Sequence, residues 1–164
     1  EEHWIEKLDS TESNTKNKGG NKLRTYNTLK RQFRLEPYLT EVDNPIHRKL
    51  ITQIRISAHK LNIETMRPTT PDPSLRICSL FPNKDIEDEE HFIIKCPMYE
   101  SFRAELINQC QQNCPNLRNL DPKQKFIWIL TNENKGSLKA LGKYLYSAFD
   151  LRTQKIITGG KALA

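Results

Sequence analysis

Long hydrophobic runs are absent from this sequence, and their absence excludes several classes of protein. No stretch approaches the roughly 18 consecutive apolar residues that a membrane-spanning helix needs, so we expect no membrane partner. Residues 1–5 contain neither a basic stretch nor an apolar core, so we expect no signal peptide and no secretion. The chain also lacks an initiator Met, and we expect it to be a piece of a longer polypeptide.

Cysteine is scarce, with four residues at positions 78, 96, 110 and 114. In a protein without a secretory signal, cysteines are by default reduced thiols or metal ligands rather than disulfides. We therefore expect a nuclear or cytoplasmic location. Cys110 and Cys114 are predicted to share one helix face and to pack in the core. Cys110 is also predicted to lie too far from Cys96 along a helix to join it in a metal site.

Positive charge is present in excess, and the formal net charge of +6 comes from one segment. Residues 22–67 hold ten Lys and Arg against four acids, whereas residues 1–21 carry −2 and residues 68–164 carry +2. This segment is the predicted binding site for a polyanion, although a merely soluble basic surface would have the same composition. The predicted contacts are Arg24, Lys30, Arg31, Arg34, Arg48, Lys49, Arg55, His59, Lys60 and Arg67, with Tyr26, Tyr38 and His59 as candidates for stacking on bases.

Apolar residues recur at spacings of three and four, which predicts a mostly all-α fold of five to six helices with a small knuckle-like turn or minimal hairpin inserted. Residues 22–33 are predicted to form a basic amphipathic helix with Phe33 on its apolar face. The last helix is predicted from a broad apolar stripe over residues 138–151. Helix starts are predicted where a capping side chain or a proline precedes such a pattern, at Asn44–Pro45, Pro97 and Asp121–Pro122.

These patterns divide the chain into six segments. They are a short helix and flexible linker (1–21), a basic helical segment (22–67), a Pro-rich loop (68–76), a degenerate zinc knuckle (77–99), C-terminal helices (97–152) and a frayed tail (153–164).

Cys78, His91 and Cys96 have the spacing of a small zinc-binding unit. The pattern reads Cys-x2-Phe-x9-His-x4-Cys, so Phe81 stands where a second cysteine would complete four ligands. Structural zinc is nearly always held by four protein ligands, so the sequence predicts an incomplete zinc site. The alternative is that the three residues are ordinary core residues and that Phe81 fills the space with apolar packing.

Three zinc ligands with an open position are also typical of a catalytic zinc site, for which Glu90 beside His91 would be the base. Separately, the five acids from Asp85 to Glu90 suggest a two-metal nuclease. An acidic run on an exposed turn is more often a solvated face, and we expect that here. A Tyr-x-Asp-Asp polymerase signature is absent, and Pro71-Asp72 leads only into Pro73 instead of a nuclease-type Glu-x-Lys motif. We therefore expect this chain to have no catalysis of its own.

Several lines of the sequence form a recognisable series: KLRTYNTLKRQF with EPYL, IRISAHKLNIET with Arg67, EDEEHFIIKCPMY, KFIWIL and LGKYLYSAFDLR. In this order they resemble the zinc-binding region that follows the polymerase domain in non-LTR retrotransposon reverse transcriptases. The resemblance covers about residues 22–152. Two departures from the family pattern are Phe81 and Pro68, the latter in place of an aromatic residue after Arg67.

This resemblance implies that the chain binds zinc, contacts element RNA and target DNA, adjoins an upstream polymerase domain of the same polypeptide, and acts in the nucleus. The leading hypothesis is therefore a non-catalytic nucleic-acid-binding module. The alternative is a domesticated or decaying remnant whose helices dock to a protein partner, and exposed apolar patches would support it. A metal-dependent nuclease is the third hypothesis.

Overall fold

The computed structural model describes residues 23–30, 32–81 and 84–161, with the side chains of residues 159–161 excepted. Within these residues the fold is all-α, and the only β pairing is a bridge between Ile77 and Ile86. This confirms the predicted all-α class and its minimal hairpin, although the described residues form seven α-helices instead of the five to six predicted. The α-helices are α1 (Arg24–Leu29), α2 (Tyr38–Glu41), α3 (Pro45–Arg55), α4 (Asn62–Thr65), α5 (Glu100–Gln111), α6 (Pro122–Thr131) and α7 (Lys135–Lys161).

Short helical turns connect these helices. They are 3-10 turns at Pro73–Leu75, Pro97–Tyr99 and Pro115–Asn119 and a π-helical turn at His91–Lys95. No helix among the described residues combines the length and the apolar character that crossing a membrane requires.

The capping residues predicted for α3 and α6 act as expected. The Asn44 side-chain oxygen accepts hydrogen bonds from the amides of Ile46 (2.8 Å) and His47 (3.3 Å). The Asp121 carboxylate accepts one from the Gln124 amide at 2.9 Å. In both helices a proline follows the cap, at a position where no amide donor is needed.

The long helix α7 lies at the centre of the fold and packs against α3 and α5. Leu141, Leu145 and Ala148 on α7 are fully buried in the core. Gly142 permits the close crossing with α3, because a Cβ added there would lie 2.5 Å from the Cβ of His47. The predicted last helix is confirmed and is longer than expected.

The basic amphipathic helix predicted for residues 22–33 is shorter in the structure. Helix α1 ends at Leu29, and Phe33, predicted to lie on an apolar face, is 70% exposed. Lys30 explains the early end of the helix, because its backbone is extended. Its buried amine pairs with Glu36 and donates a hydrogen bond to the Arg34 carbonyl oxygen (2.6 Å), and both partners follow it in the chain.

A short helix with a linker was predicted at the start of the chain, and a frayed tail at its end. The predicted N-terminal helix and linker, residues 1–21, lie outside the described residues. At the other end, the backbone of α7 remains helical to Lys161, so the prediction that fraying begins at residue 153 is wrong. The guanidinium of Arg152 binds the buried Glu87, which anchors the helix where fraying was expected to begin.

Candidate metal centre

Cys78 lies on the first arm of the small hairpin. Its amide donates to the Asp85 carbonyl oxygen (2.8 Å), and the Glu87 amide donates to the Arg76 carbonyl oxygen (2.9 Å). The fully buried side chain of Arg76 fixes the start of this arm by donating to the carbonyl oxygens of Thr70, Pro71 and Ile63 at 2.7–2.9 Å. The Pro-rich loop and the hairpin are thus held together by one side chain.

His91 and Cys96 lie at the two ends of the π-helical turn. The Asp88 carboxylate accepts a hydrogen bond from the His91 amide (2.7 Å), and the Cys96 amide donates to the His91 carbonyl oxygen (2.8 Å). This i to i+5 bond closes a wider turn than an α-helix has, so two residues five apart come to the same side. Arg103 of α5 fixes the far end by donating to the carbonyl oxygens of Ile93 and Cys96.

The structure brings Cys78, His91 and Cys96 together, with their ligand atoms within 4.8 Å of one another and all three residues buried. Neither ring nitrogen of His91 has a partner at hydrogen-bond distance. A buried polar group without a partner costs free energy, and a metal ion would satisfy the imidazole nitrogen. This cluster is able to hold a metal ion.

The pKa values of the two cysteine thiols are shifted in opposite directions, because the two groups share one hydrogen bond. The hydrogen bond from the Cys96 thiol, together with the adjacent His91, lowers the pKa of Cys78 to about 4 against the effect of burial. The pKa of Cys96 is raised well above its usual range, chiefly by its bond to Cys78 and by burial. The Leu80 and Met98 amides, each two residues after a cysteine, bond to the sulfurs and favour the thiolate forms that metals bind.

Phe81 and the other two cysteines do not belong to this cluster. Phe81 is half-buried and packs against the hydrophobic core. Cys110 is buried in the core, where burial raises its pKa to about 11. Cys114 packs against the core from beyond the end of α5, so the prediction that it shares a helix face with Cys110 is wrong, while core packing is confirmed for both.

The acidic run corrects a prediction, because two of its members are interior residues and not part of a solvated face. Glu87 is 1% exposed and accepts hydrogen bonds from both donor nitrogens of Arg152 (2.9 and 2.7 Å) and from the Asn62 amide (2.7 Å). Glu89 is 2% exposed and accepts two bonds from Arg24, at 2.8 and 2.7 Å. These partners lie 25 to 65 residues away along the chain.

Glu89 also accepts hydrogen bonds from side chains in the segment that follows α3. The Ser57 hydroxyl and the His59 Nε2 both lie 2.8 Å from the same carboxylate oxygen. Because the Leu61 amide donates to His59 Nδ1, it is Nε2–H that donates to Glu89. Ser57 has a φ of 53°, which is unusual for a residue with a side chain, and its hydroxyl bond to Glu89 supports that backbone. The serine bonds to the carboxylate and not to the histidine, so this is no Ser-His-Glu relay.

Most of the predicted phosphate contacts face the interior or pair with acids. Lys30, Arg55 and His59 are buried, and Lys30 and Arg55 share Glu36 as partner. Tyr38, a predicted stacking residue, is buried beneath Arg55. Arg24 and Arg67 pair with Glu64, Arg34 pairs with Glu133, and Arg48 donates to backbone carbonyl oxygens. Lys49 and Lys60 are exposed, and Arg31 lies outside the described residues.

A cavity of about 390 Å³, lined in part by Ile94 of the π-helical turn, presents basic residues that the sequence pattern did not single out. Arg103, which fixes the Cys96 carbonyl, forms part of its wall. The local charge of residues 68–164 is nearly balanced, so composition contained no signal for this site. The lining residues are Ile94, Glu100, Arg103, Ala104, Ile107, Arg118 and Lys125.

No protein-family model matches the chain, and no similar curated protein or solved structure was found in the comparisons. The fold and the cluster define a helical protein with a buried Cys-His-Cys group that can hold a metal ion. The family resemblance rests on the quoted sequence lines alone and stays a prediction.

Proposed function

We propose that the chain is a zinc-stabilised helical module that binds nucleic acid. The observation that carries the zinc part is the convergence of Cys78, His91 and Cys96, with a buried imidazole that lacks a hydrogen-bond partner. Thiolate and imidazole ligands favour Zn²⁺ over the oxygen-seeking Mg²⁺ and Ca²⁺. The ion would join the hairpin arm to the π-helical turn, and its binding free energy would add to the stability of the folded state.

Zinc is expected to raise the melting temperature of the metal-free protein while leaving its helix content unchanged, because the core formed by α3, α5 and α7 does not depend on the metal. At a free zinc concentration 100 times the Kd the gain is about 2.7 kcal/mol. For a domain of this size that corresponds to a rise of roughly 5 to 11 °C. Melting and far-ultraviolet circular dichroism with zinc and with a chelator measure both quantities.

The matched control for this experiment is Cys110→Ser, since Cys110 is a buried thiol outside the cluster. Cys78→Ser should abolish the zinc-dependent rise, whereas Cys110→Ser should keep it even if the protein is less stable. A wild-type protein whose melting does not respond to zinc would contradict the zinc part of the proposal.

The nucleic-acid part is supported by the net charge of +6 and by two groups of cations. The first consists of Lys49 and Lys60, two separately exposed lysines that remain from the predicted contacts. The second is the cavity, where Arg118 and Lys125 lie beside the apolar side chains of Ile94 and Ile107. Cations next to an apolar wall suit a phosphate with its attached sugar or base. The resemblance to the reverse transcriptase region agrees with this function and would make element RNA and target DNA the ligands.

We include no catalytic step in this function. A two-metal nuclease needs clustered carboxylates that are available to hard cations. Glu87 and Glu89 are instead bound to the guanidinium groups of Arg152 and Arg24. Such carboxylates would have to abandon buried ion pairs before they could bind Mg²⁺, and that exchange is costly.

Charge reversal tests separately which of the two groups of cations contributes to nucleic-acid binding. Arg118→Glu with Lys125→Glu, and separately Lys49→Glu with Lys60→Glu, should each weaken binding to single-stranded RNA and to nicked duplex DNA. Each lost phosphate contact is also expected to reduce the slope of log K against log salt by about 1. Fluorescence anisotropy at several salt concentrations measures both effects.

The control for net charge is Lys135→Glu with Lys139→Glu, which makes the same charge change at lysines that pair with Glu41 and Asp43. An equal loss in all three variants would mean that only overall charge matters. If no variant changes binding, or the wild-type chain does not bind, the nucleic-acid part is wrong. The exposed Phe33 and Leu35 would then favour the alternative of a protein-interaction module.

A further inference from the structure

We propose that Asp85 supplies the fourth ligand of the metal centre, so that two thiolates, one imidazole and one carboxylate close the coordination shell. This inference rests on the proposed zinc function of Cys78, His91 and Cys96. It addresses the main weakness of that site in the sequence, where Phe81 occupies the position of the missing cysteine.

The register of the hairpin places Asp85 on the correct face. Ile77 pairs with Ile86, and the Cys78 amide donates to the Asp85 carbonyl oxygen at 2.8 Å. Side chains alternate between the two faces of an extended strand. Cys78 and Asp85, each adjacent to the Ile77–Ile86 pair, therefore share the face opposite to those two isoleucines. That face carries the Cys78 thiol toward the cluster.

The distance between Asp85 and His91 fits two ligands of one ion. The Asp85 Oδ2 atom lies 3.7 Å from His91 Nδ1, which is too long for a hydrogen bond. With zinc–nitrogen and zinc–oxygen distances of about 2.0 to 2.2 Å, two ligands of a tetrahedral ion lie about 3.3 to 3.6 Å apart. The carboxylate oxygen is thus within a few tenths of an ångström of the required separation from the imidazole nitrogen. A rotation of the Asp85 side chain would have to bring it to the two sulfurs, because it is not among the ligand atoms that lie within 4.8 Å of one another.

The Asp85 side chain is also able to make this adjustment. It is 49% exposed, and a rotation about its side-chain bonds changes the position of the carboxylate relative to the imidazole. The other acids of the run are directed elsewhere: Asp88 accepts the His91 amide, Glu90 pairs with Lys95, and Glu87 and Glu89 bind arginines. Asp85 is the member of the run whose carboxylate faces the imidazole.

A carboxylate at this position changes the character of the centre. With two thiolates and one carboxylate the ligand set carries three negative charges, as the set with three cysteines would. A carboxylate is a harder and less tightly held ligand for zinc than a thiolate. The centre is therefore closed, but weaker than one with three thiolates.

Cobalt substitution tests this assignment directly, because Co²⁺ is coloured where Zn²⁺ is silent. Tetrahedral Co²⁺ has intense visible bands, and its sulfur-to-metal charge-transfer band grows with each thiolate bound. The wild-type chain should bind Co²⁺ with tetrahedral bands and the charge-transfer intensity of two thiolates. Asp85→Cys should raise that intensity by about half, because a third thiolate then enters the shell. Asp85→Asn should weaken metal binding by about 100-fold or more, since loss of a direct ligand costs more than the 10-fold to 100-fold loss typical of a supporting partner.

Asp150→Asn, the same substitution at an exposed acid on α7, is the matched control and should leave cobalt binding unchanged. If Asp85→Cys keeps the two-thiolate intensity, or if Asp85→Asn weakens binding less than 10-fold, Asp85 only orients His91 and this inference is wrong. Those outcomes leave the zinc proposal intact. A wild-type chain that binds neither cobalt nor zinc would overturn both.

Discussion

Replacing Glu89 by glutamine is expected to lower the free energy of unfolding by about 3 to 5 kcal/mol. The carboxylate is 2% exposed and accepts hydrogen bonds from Arg24, Ser57 and His59. A neutral amide of the same size cannot balance the charge of Arg24, and its NH₂ group would face other donors. Urea denaturation followed by circular dichroism measures the change.

Glu133→Gln is the control, because Glu133 also pairs with an arginine but does so on the surface. Exposed pairs contribute about 0 to 1 kcal/mol, so this variant should unfold close to the wild type. Similar losses in the two variants would show that the Glu89 network contributes no more than a surface ion pair.

The pH dependence of stability gives an independent check on the same carboxylate. Burial opposes ionisation of Glu89, but the hydrogen bond from His59 and the charge of Arg24 dominate and lower its pKa from 4.5 to about 2. A group whose pKa is lowered in the folded state stabilises the protein above its unfolded pKa and loses that contribution as pH falls through the folded pKa. A difference of this size corresponds to about 3 kcal/mol. The gap in stability between wild type and Glu89→Gln should therefore be constant above about pH 5 and shrink progressively toward pH 2.

Replacing Phe81 by cysteine is expected to raise zinc affinity by at least tenfold and to lower the stability of the metal-free protein by about 1 to 3 kcal/mol. The gain arises because a thiolate would enter the shell from the position that the knuckle spacing assigns to it. The loss arises because the half-buried ring packs against the core. Melting with zinc and with a chelator separates the two effects, since they have opposite signs.

Two further variants isolate these contributions. Phe81→Ser removes the ring without adding a thiolate and should show the loss alone. In the Phe81→Cys background, Asp85→Asn should cost little zinc affinity, because the new thiolate replaces the carboxylate. Unchanged zinc affinity in Phe81→Cys would mean that the turn no longer directs residue 81 toward the cluster, and Phe81 would then be only a packing residue.

Local patterns in the sequence predicted the features that depend on neighbouring residues. The starts of α3 and α6 follow from Asn44 and Asp121, because a cap bonds to amides only two or three residues away. The Cys78, His91 and Cys96 group was also predictable from spacing, since one hairpin and one turn bring the three together. The same reasoning was wrong for residues 22–33, where Glu36 draws Lys30 out of the helical pattern.

The sequence by itself determined the all-α class, the main helix starts and the three candidate metal ligands. Only the tertiary structure decided that Glu87 and Glu89 are interior residues. It also decided that Arg24 pairs with Glu89 and that Lys30 and Arg55 both pair with Glu36. The physical reason is that a charge is buried only where an opposite charge and hydrogen bonds compensate its desolvation. For Glu87 and Glu89 those partners come from α1, α7 and the segment after α3, 25 to 65 residues away, and no local pattern shows that they meet.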